Sequence, residues 1–193
     1  QFYPLGSCTM KYNPVVHEKI AADAAWMGLH PMQPADELQG ALGLMHQLQE
    51  DLGEATGLPG VTLHPAAGAH GELTGLMVLR AWLDEKGEND RRTILIPDSA
   101  HGTNPASCTL AGFHVSTVKS NNLGLTDMED LKAHLNDSVA GFMVTNPNTL
   151  GLFEENIQEI CDLVHQAGGK VYMDGANFNA IMGITRPGDF GID

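Results

Sequence analysis

The sequence predicts an α/β fold, a mostly parallel sheet with helices on both faces. Three observations predict it. From Val61 onward, short apolar runs of strand length alternate with segments of helical period. Each run is followed by a loop of small and polar residues, the pattern expected beyond the carboxyl ends of parallel strands. The 193 residues, 42% hydrophobic and 18% charged, are enough to bury the core such a sheet needs.

The elements follow in order. A helix is expected over residues 15–28, with Ile20, Ala24 and Met27 on one side and His17, Glu18 and Lys19 on another. After the proline-bounded segment 30–34, a long amphipathic helix is expected over residues 35–56, because Leu38, Leu42, Met45, Leu48 and Leu52 keep helical spacing. Gly57 and Pro59 end it. A first strand is expected at residues 61–63 and a helix at 71–85. A second strand spans 93–96, followed by a short helix at 104–111. A third strand spans 115–118, and the helix 126–135 carries Thr126 and Glu129 as a capping box. A fourth strand covers 142–144, a helix 154–167, and a fifth strand 171–173. There are no internal repeats and no low-complexity segments. The reading divides the chain into an N-terminal helical segment, 1–56, leading into part of a large domain, 57–193. With no initiator Met and a sheet that stops after its last βα unit, the chain is expected to be part of a longer polypeptide.

Composition excludes some classes. The formal net charge is −14 with only 10 Lys and Arg, too few to neutralise a phosphate track, so nucleic acid is not an expected partner. No apolar run reaches membrane-spanning length, and no membrane partner is expected. Cys8, Cys108 and Cys161 have neither metal nor redox spacing and read as reduced thiols of a cytosol-like compartment. The nine histidines form no HExxH or Cys/His ribbon, so no metal is expected.

The loops after the strands carry the chemistry. Pro65–Glu72 is a small-residue turn opening a helix, where the backbone N–H groups of Gly68, Ala69 and His70 suit a phosphate. The same glycines also serve a plain tight connection, and a dinucleotide reading with Asp98 downstream is weak without GxGxxG. His101, flanked by small residues, suits a ring laid on a flat ligand, although a lone histidine is commonly a surface residue. Asn146 offers an amide donor, in an Asn-Pro pair that is also an ordinary turn starter. Asp174 ends the fifth strand, and a carboxylate there needs a cation or strong donors to offset its desolvation. One flat, phosphorylated, nitrogen-containing ring would use all four features: pyridoxal 5'-phosphate, with Asp174 on the pyridinium N–H.

Four stretches then carry a resemblance: FYPLGSCTMKYNP at 2–14, SAHGTNPAS at 99–107, TNPNTLGLF at 145–153 and DGANFNA at 174–180. They are similar to motifs of the glycine cleavage system P-proteins, the pyridoxal-phosphate-dependent glycine decarboxylases. The match lies in the catalytic C-terminal half, or in subunit 2 where the enzyme is split. It spans nearly the whole chain, and strings such as PLGSCTMKYNP are long and of low degeneracy. The resemblance implies fold type I of the pyridoxal-phosphate enzymes. It implies release of carbon dioxide from glycine and transfer of the aminomethyl group to the lipoyl group of H-protein.

By the same resemblance Asp174 sits on the ring nitrogen, His101 on the ring face, and Gly68, Ala69 and His70 on the phosphate. Asn146 and Asn177 would lie near the ring hydroxyl or substrate, and Ala176 would be among the cofactor-binding residues. Thr9, Lys11 and Asn13 would line the substrate entrance, with Lys11 equally readable as a surface charge. Implied partners are glycine, lipoylated H-protein and the other P-protein half or subunit, in a dimer or heterotetramer. The implied compartment is the cytoplasm, or the mitochondrial matrix in a eukaryote. The family's Schiff-base lysine lies in a histidine-lysine-threonine segment downstream of the aspartate, beyond Asp193. Lys11, Lys19, Lys86, Lys119, Lys132 and Lys170 do not match it, and Lys170 is expected at the opposite end of the sheet from Asp174. Another fold type I enzyme, an aminotransferase or desulfurase, would share Asp174 but not PLGSCTMKYNP. A non-catalytic scaffold half would have no need of His101 and Asp174.

Overall fold

The computed structural model describes residue 12 and residues 14–193. Thr9, Lys11 and Asn13, expected at a substrate entrance, lie outside the described residues. The chain divides into two compact units, residues 1–46 and 47–193.

In the first unit the helix expected over 15–28 is two helices, α1 (Val15–Ala21) and α2 (Ala24–Met27). Asp23 is the reason. Its backbone is extended (φ −62°, ψ 136°) and its carboxylate accepts from Ala25 N at 2.8 Å, capping α2 and ending the run of helical dihedrals. A 3-10 turn at Ala35–Glu37 likewise precedes α3 (Gln39–Thr56), which passes from the first unit into the second. The α3 stripe is present as spaced, yet Leu42, Met45 and Leu48 are exposed.

The second unit holds a four-stranded, all-parallel sheet in the order β2-β1-β3-β4. The strands are β1 (Thr93–Pro97), β2 (His114–Val118), β3 (Val139–Thr145) and β4 (Lys170–Asp174). Its helices are α4 (Gly68–Lys86), α5 (Thr103–Leu110), α6 (Met128–His134) and α7 (Ile157–Gln166). The expected strand at residues 61–63 is irregular chain instead. The Val61 carbonyl accepts from Gln49 Nε2 at 2.6 Å, so the backbone group a strand partner would need is bound to a helix side chain.

Alternation along the strands sorts the core into two layers. Ile94, Ile96 and Met143 pack with Leu76 and Leu83 of α4 and Cys108 of α5. Leu95, Phe142 and Val144 pack with Leu131 of α6 and with Ile157, Ile160, Cys161 and Val164 of α7. Helices therefore cover both faces. The β1–β3 register pairs Thr93 with Val139 but Ile94 with Gly141, so β3 carries one extra residue there. That bulge lets Val139 join the layer of Phe142 and Val144 while Ala140 joins Met143. Where α4 crosses β4, Gly75 is required: a Cβ there would stand 2.5 Å from the Tyr172 ring.

From β1 the chain crosses by α5 to β2 on one side, then returns by α6 to β3 on the other. The strand order reverses between β1 and β3. In open α/β sheets the crevice beyond the carboxyl ends at such a reversal is where ligands bind.

Candidate active site

Asp174 is the last residue of β4, in register with Thr145, the last of β3. Its Oδ2 accepts from Asn104 Nδ2 at 3.1 Å and its Oδ1 from Ala176 N at 2.9 Å. Asn104 belongs to α5 and is fully buried. This bond ties the exit of β4 to the first turn of the helix that follows β1. Both donors are neutral, and among the described residues no cation pairs with the half-buried carboxylate.

His101 is exposed in the β1–α5 loop, with Nδ1 2.8 Å from Thr103 Oγ1. Thr103 Oγ1 in turn donates to Glu72 Oε1 at 2.7 Å, and Ser107 Oγ donates to Glu72 Oε2 at 3.0 Å. Glu72 is buried in α4, a little over one turn from its start. The exposed first turn of α4, Gly68, Ala69 and His70, is thereby held against the same α5 that carries Asn104. No side chain caps the end of this 19-residue helix, so those backbone N–H groups lack intrahelical acceptors. Asp174, His101 and the Gly68–His70 turn thus meet around the start of α5.

The amides are placed differently. Asn146 is fully buried; its Oδ1 accepts from Glu154 N at 3.0 Å, and its Nδ2 has no acceptor among the described residues. Asn177 Nδ2 donates to the carbonyls of Pro147 and Asn148, at 3.0 and 3.3 Å, closing the turn after β3 onto the exit of β4. Ala176 acts through its N–H on Asp174. Asp98, the residue that made a dinucleotide reading tempting, is spent on the N–H and hydroxyl of Ser120. The Ser120 hydroxyl holds its carboxyl below the ordinary range. A cavity of about 430 Å³ lies away from this cluster, along the outer edge of β4 and lined by Gly75, Val78, Trp82 and Ile192. Its apolar walls carry none of the groups gathered at the start of α5.

No protein-family model matches the chain. Over 192 of its 193 residues it is 61% identical to the probable glycine dehydrogenase (decarboxylating) subunit 2 of Caldanaerobacter subterraneus subsp. tengcongensis. It is 60% identical, over the same length, to that of Bacillus velezensis. Along its length the chain is thus similar to these glycine dehydrogenase (decarboxylating) subunits. It spans 40% and 39% of the length of these two relatives. Its fold is similar to that of a glycine decarboxylase (P-protein) of the glycine cleavage system in inhibitor-bound form. There the TM-score is 0.76 at 23% identity, over 93% of this chain and 39% of that one. A Burkholderia pseudomallei sphingosine-1-phosphate lyase gives 0.56 at 18% identity, over 72% and 35%. These likenesses establish the expected fold type I architecture.

The lysines of the second unit are engaged away from Asp174. Lys170 opens β4, at the end opposite Asp174, and its Nζ bonds Asp193 at 2.6 Å. Lys86 lies over the Trp82 ring at 4.2 Å. Lys119 faces Asp130 at 3.9 Å, and Lys132 faces Glu129 and Glu159. Glu72 and Asn104 are the residues that sequence reasoning missed. Asn104 stands inside the string SAHGTNPAS and Glu72 ends the Pro65–Glu72 turn, but nothing in either stretch says that Glu72 reaches across to Thr103 and Ser107, or Asn104 to Asp174. Tyr172, one residue-pair back on β4, feels both acids: burial pushes its hydroxyl up to about 12, and the charges of Asp174 and Glu72 add to it.

Proposed function

We propose that the chain is part of a pyridoxal-phosphate-dependent glycine decarboxylase, with the cluster at the start of α5 as its cofactor site. The observation that carries this reading is Asp174, a strand-end carboxylate held by two neutral N–H groups and lacking a cation. A carboxylate in that setting favours a cationic N–H partner, and a pyridinium nitrogen supplies one. The residues present fit the group: Asp174 for the ring nitrogen, the open N–H groups of Gly68, Ala69 and His70 for the phosphate, exposed His101 for a ring face. Bound there, pyridoxal 5'-phosphate supplies an electron-withdrawing ring that takes up the electron pair left when the glycine carboxylate departs as carbon dioxide.

Asp174 holds a proton at the ring nitrogen, and Asn104 and Ala176 keep its two oxygens aimed. His101 covers one face and excludes water. Asn177 and Asn146 shape the turn after β3 that borders the crevice. Since none of the second unit's lysines lies beside Asp174, the Schiff-base lysine is placed elsewhere in a longer polypeptide, of which this chain would be the 40% that the relatives share. The relatives' designation as a second subunit supports a companion subunit, in a dimer or heterotetramer. Aminomethyl transfer to lipoylated H-protein and a cytoplasmic location, or the mitochondrial matrix in a eukaryote, complete the reading.

The test is Asp174→Asn in the complete enzyme. Losing a preorganised charge at the reacting ring should lower glycine decarboxylation about 10²–10³-fold, while pyridoxal phosphate still binds through its phosphate. Decarboxylation at the parental rate would show that the carboxylate has another task.

A further inference from the structure

The two donors to Asp174 differ in reach. Ala176 N lies two residues along the same loop, so its bond at 2.9 Å shapes the exit of β4 and moves with it. Asn104 Nδ2, at 3.1 Å, comes from α5, 70 residues away in the chain. In the sheet, β3 stands between β4 and β1, the strand that leads into α5. The Asn104 bond therefore crosses the end of β3. Among the described residues it is the hydrogen bond that ties the Asp174 carboxylate to another element.

Asn104 also holds His101. Its backbone N–H donates to the His101 carbonyl at 3.0 Å, in the turn that opens α5. One residue thus grips both groups: the side chain binds the acid read for the ring nitrogen, and the backbone binds the loop of the imidazole read for the ring face.

This placement costs the fold stability. Asn104 is fully buried, and its Oδ1 has no donor among the described residues. A carbonyl stripped of water and left without a donor is destabilising. An apolar side chain of similar volume would fill the same space without that loss, so packing alone does not account for an amide here. What the amide adds is the Nδ2 bond to Asp174.

We propose that Asn104 is a positioning residue, the joint that sets the Asp174 carboxylate at a fixed place relative to His101. The inference rests on the cofactor reading for its use, because a ring that meets both groups at once needs them held in register. Without Nδ2, Asp174 keeps only its local bond to Ala176 and can turn away from the ring nitrogen. The backbone hold on His101 is unchanged, so the defect is confined to the nitrogen.

The experiment measures equilibrium binding to the complete enzyme freed of cofactor, with two probes. One is pyridoxal 5'-phosphate and the other is its analogue with C–H in place of the ring nitrogen. Both present the same phosphate and ring face, and only the first can meet Asp174. The parent should prefer pyridoxal phosphate. Asn104→Ala should lower that preference about tenfold, as for one hydrogen bond to a charged group, and change binding of the analogue by less than about twofold. Asn104→Cys, close in volume and a poor donor, decides the matter if Asn104→Ala does not fold. The parental preference persisting in the variant, or both probes weakening alike, overturns the positioning role. A parent that binds both probes equally shows instead that Asp174 does not meet the ring nitrogen. The cofactor reading then fails, and the positioning role falls with it.

Discussion

Burying a carboxylate costs several kcal/mol unless it is paired, and Asp174 and Glu72 meet that cost in the same way. Each takes two neutral donors and, among the described residues, no cation. The same burial acts with opposite consequence on the thiols. Cys108 and Cys161 are free and buried. Burial pushes both up to about 12, with Glu72 adding to Cys108 and Asp193 and Asp162 adding to Cys161. About four pH units below that value the thiolate fraction is ~10⁻⁴. Iodoacetamide near neutral to mildly alkaline pH should therefore leave both residues unlabelled in the folded protein and label both in denaturant. Peptide mass mapping reads the result, and native labelling at the rate of a free thiol would contradict the buried placement. At this scale the sequence marked Asp174 as a residue in need of partners, because aspartate after an apolar run is costly anywhere. It could not tell that Asn104 is the donor to Asp174, a bond that exists only because the fold brings the start of α5 to the exit of β4.

At the scale of elements, the legible parts were those with a strong period or strong punctuation. Helix α7 and strands β1 to β4 lie within three residues of where their apolar spacing puts them. Asp23 split the first helix locally, and two other misses share a different cause: a distant side chain competing for local backbone. Gln49 binds the Val61 carbonyl and cancels a three-residue strand. At α6, the Thr126–Glu129 pairing reads as a capping box, yet the Glu154 carboxylate draws Thr126 N at 2.8 Å. The cap passes to Asp127, which accepts from Glu129 N and Asp130 N at 3.0 and 3.1 Å. Asp127→Ala should cost about 1 kcal/mol, seen as roughly fivefold faster hydrogen exchange across α6. Thr126→Val, which removes only the hydroxyl, should change that exchange by less than about 0.5 kcal/mol. Equal effects of the two substitutions would restore the capping box.

The whole second unit separates the candidate site from fastening. The cluster around Asp174 occupies the carboxyl end of the sheet, and the opposite end is stapled by two charged residues. Arg91 Nη1 donates to the carbonyls of Val139 and Ala167, at 2.9 and 2.7 Å, joining the start of β3 to the end of α7. Asp193 accepts from Lys170 Nζ at 2.6 Å, His165 Nε2 at 2.7 Å and Val171 N at 2.8 Å, joining α7 to β4. Burial alone would raise the Asp193 carboxyl, but Lys170, Val171 N–H and His165 together overrule it and hold it below its ordinary 3.8. A carboxyl depressed in the folded state adds stability above its unfolded value, and that stability is lost as pH falls through the lower folded value. Asp193→Asn should therefore destabilise by about 1–2 kcal/mol, the worth of charge-assisted bonds discounted for partial exposure. The gap in thermal midpoint between parent and variant should stay constant from neutral pH down to about the ordinary aspartate value, and close as acid protonates the parent. A gap that stays open in strong acid, or is absent at neutral pH, would mean that Asp193 does not fasten β4 to α7.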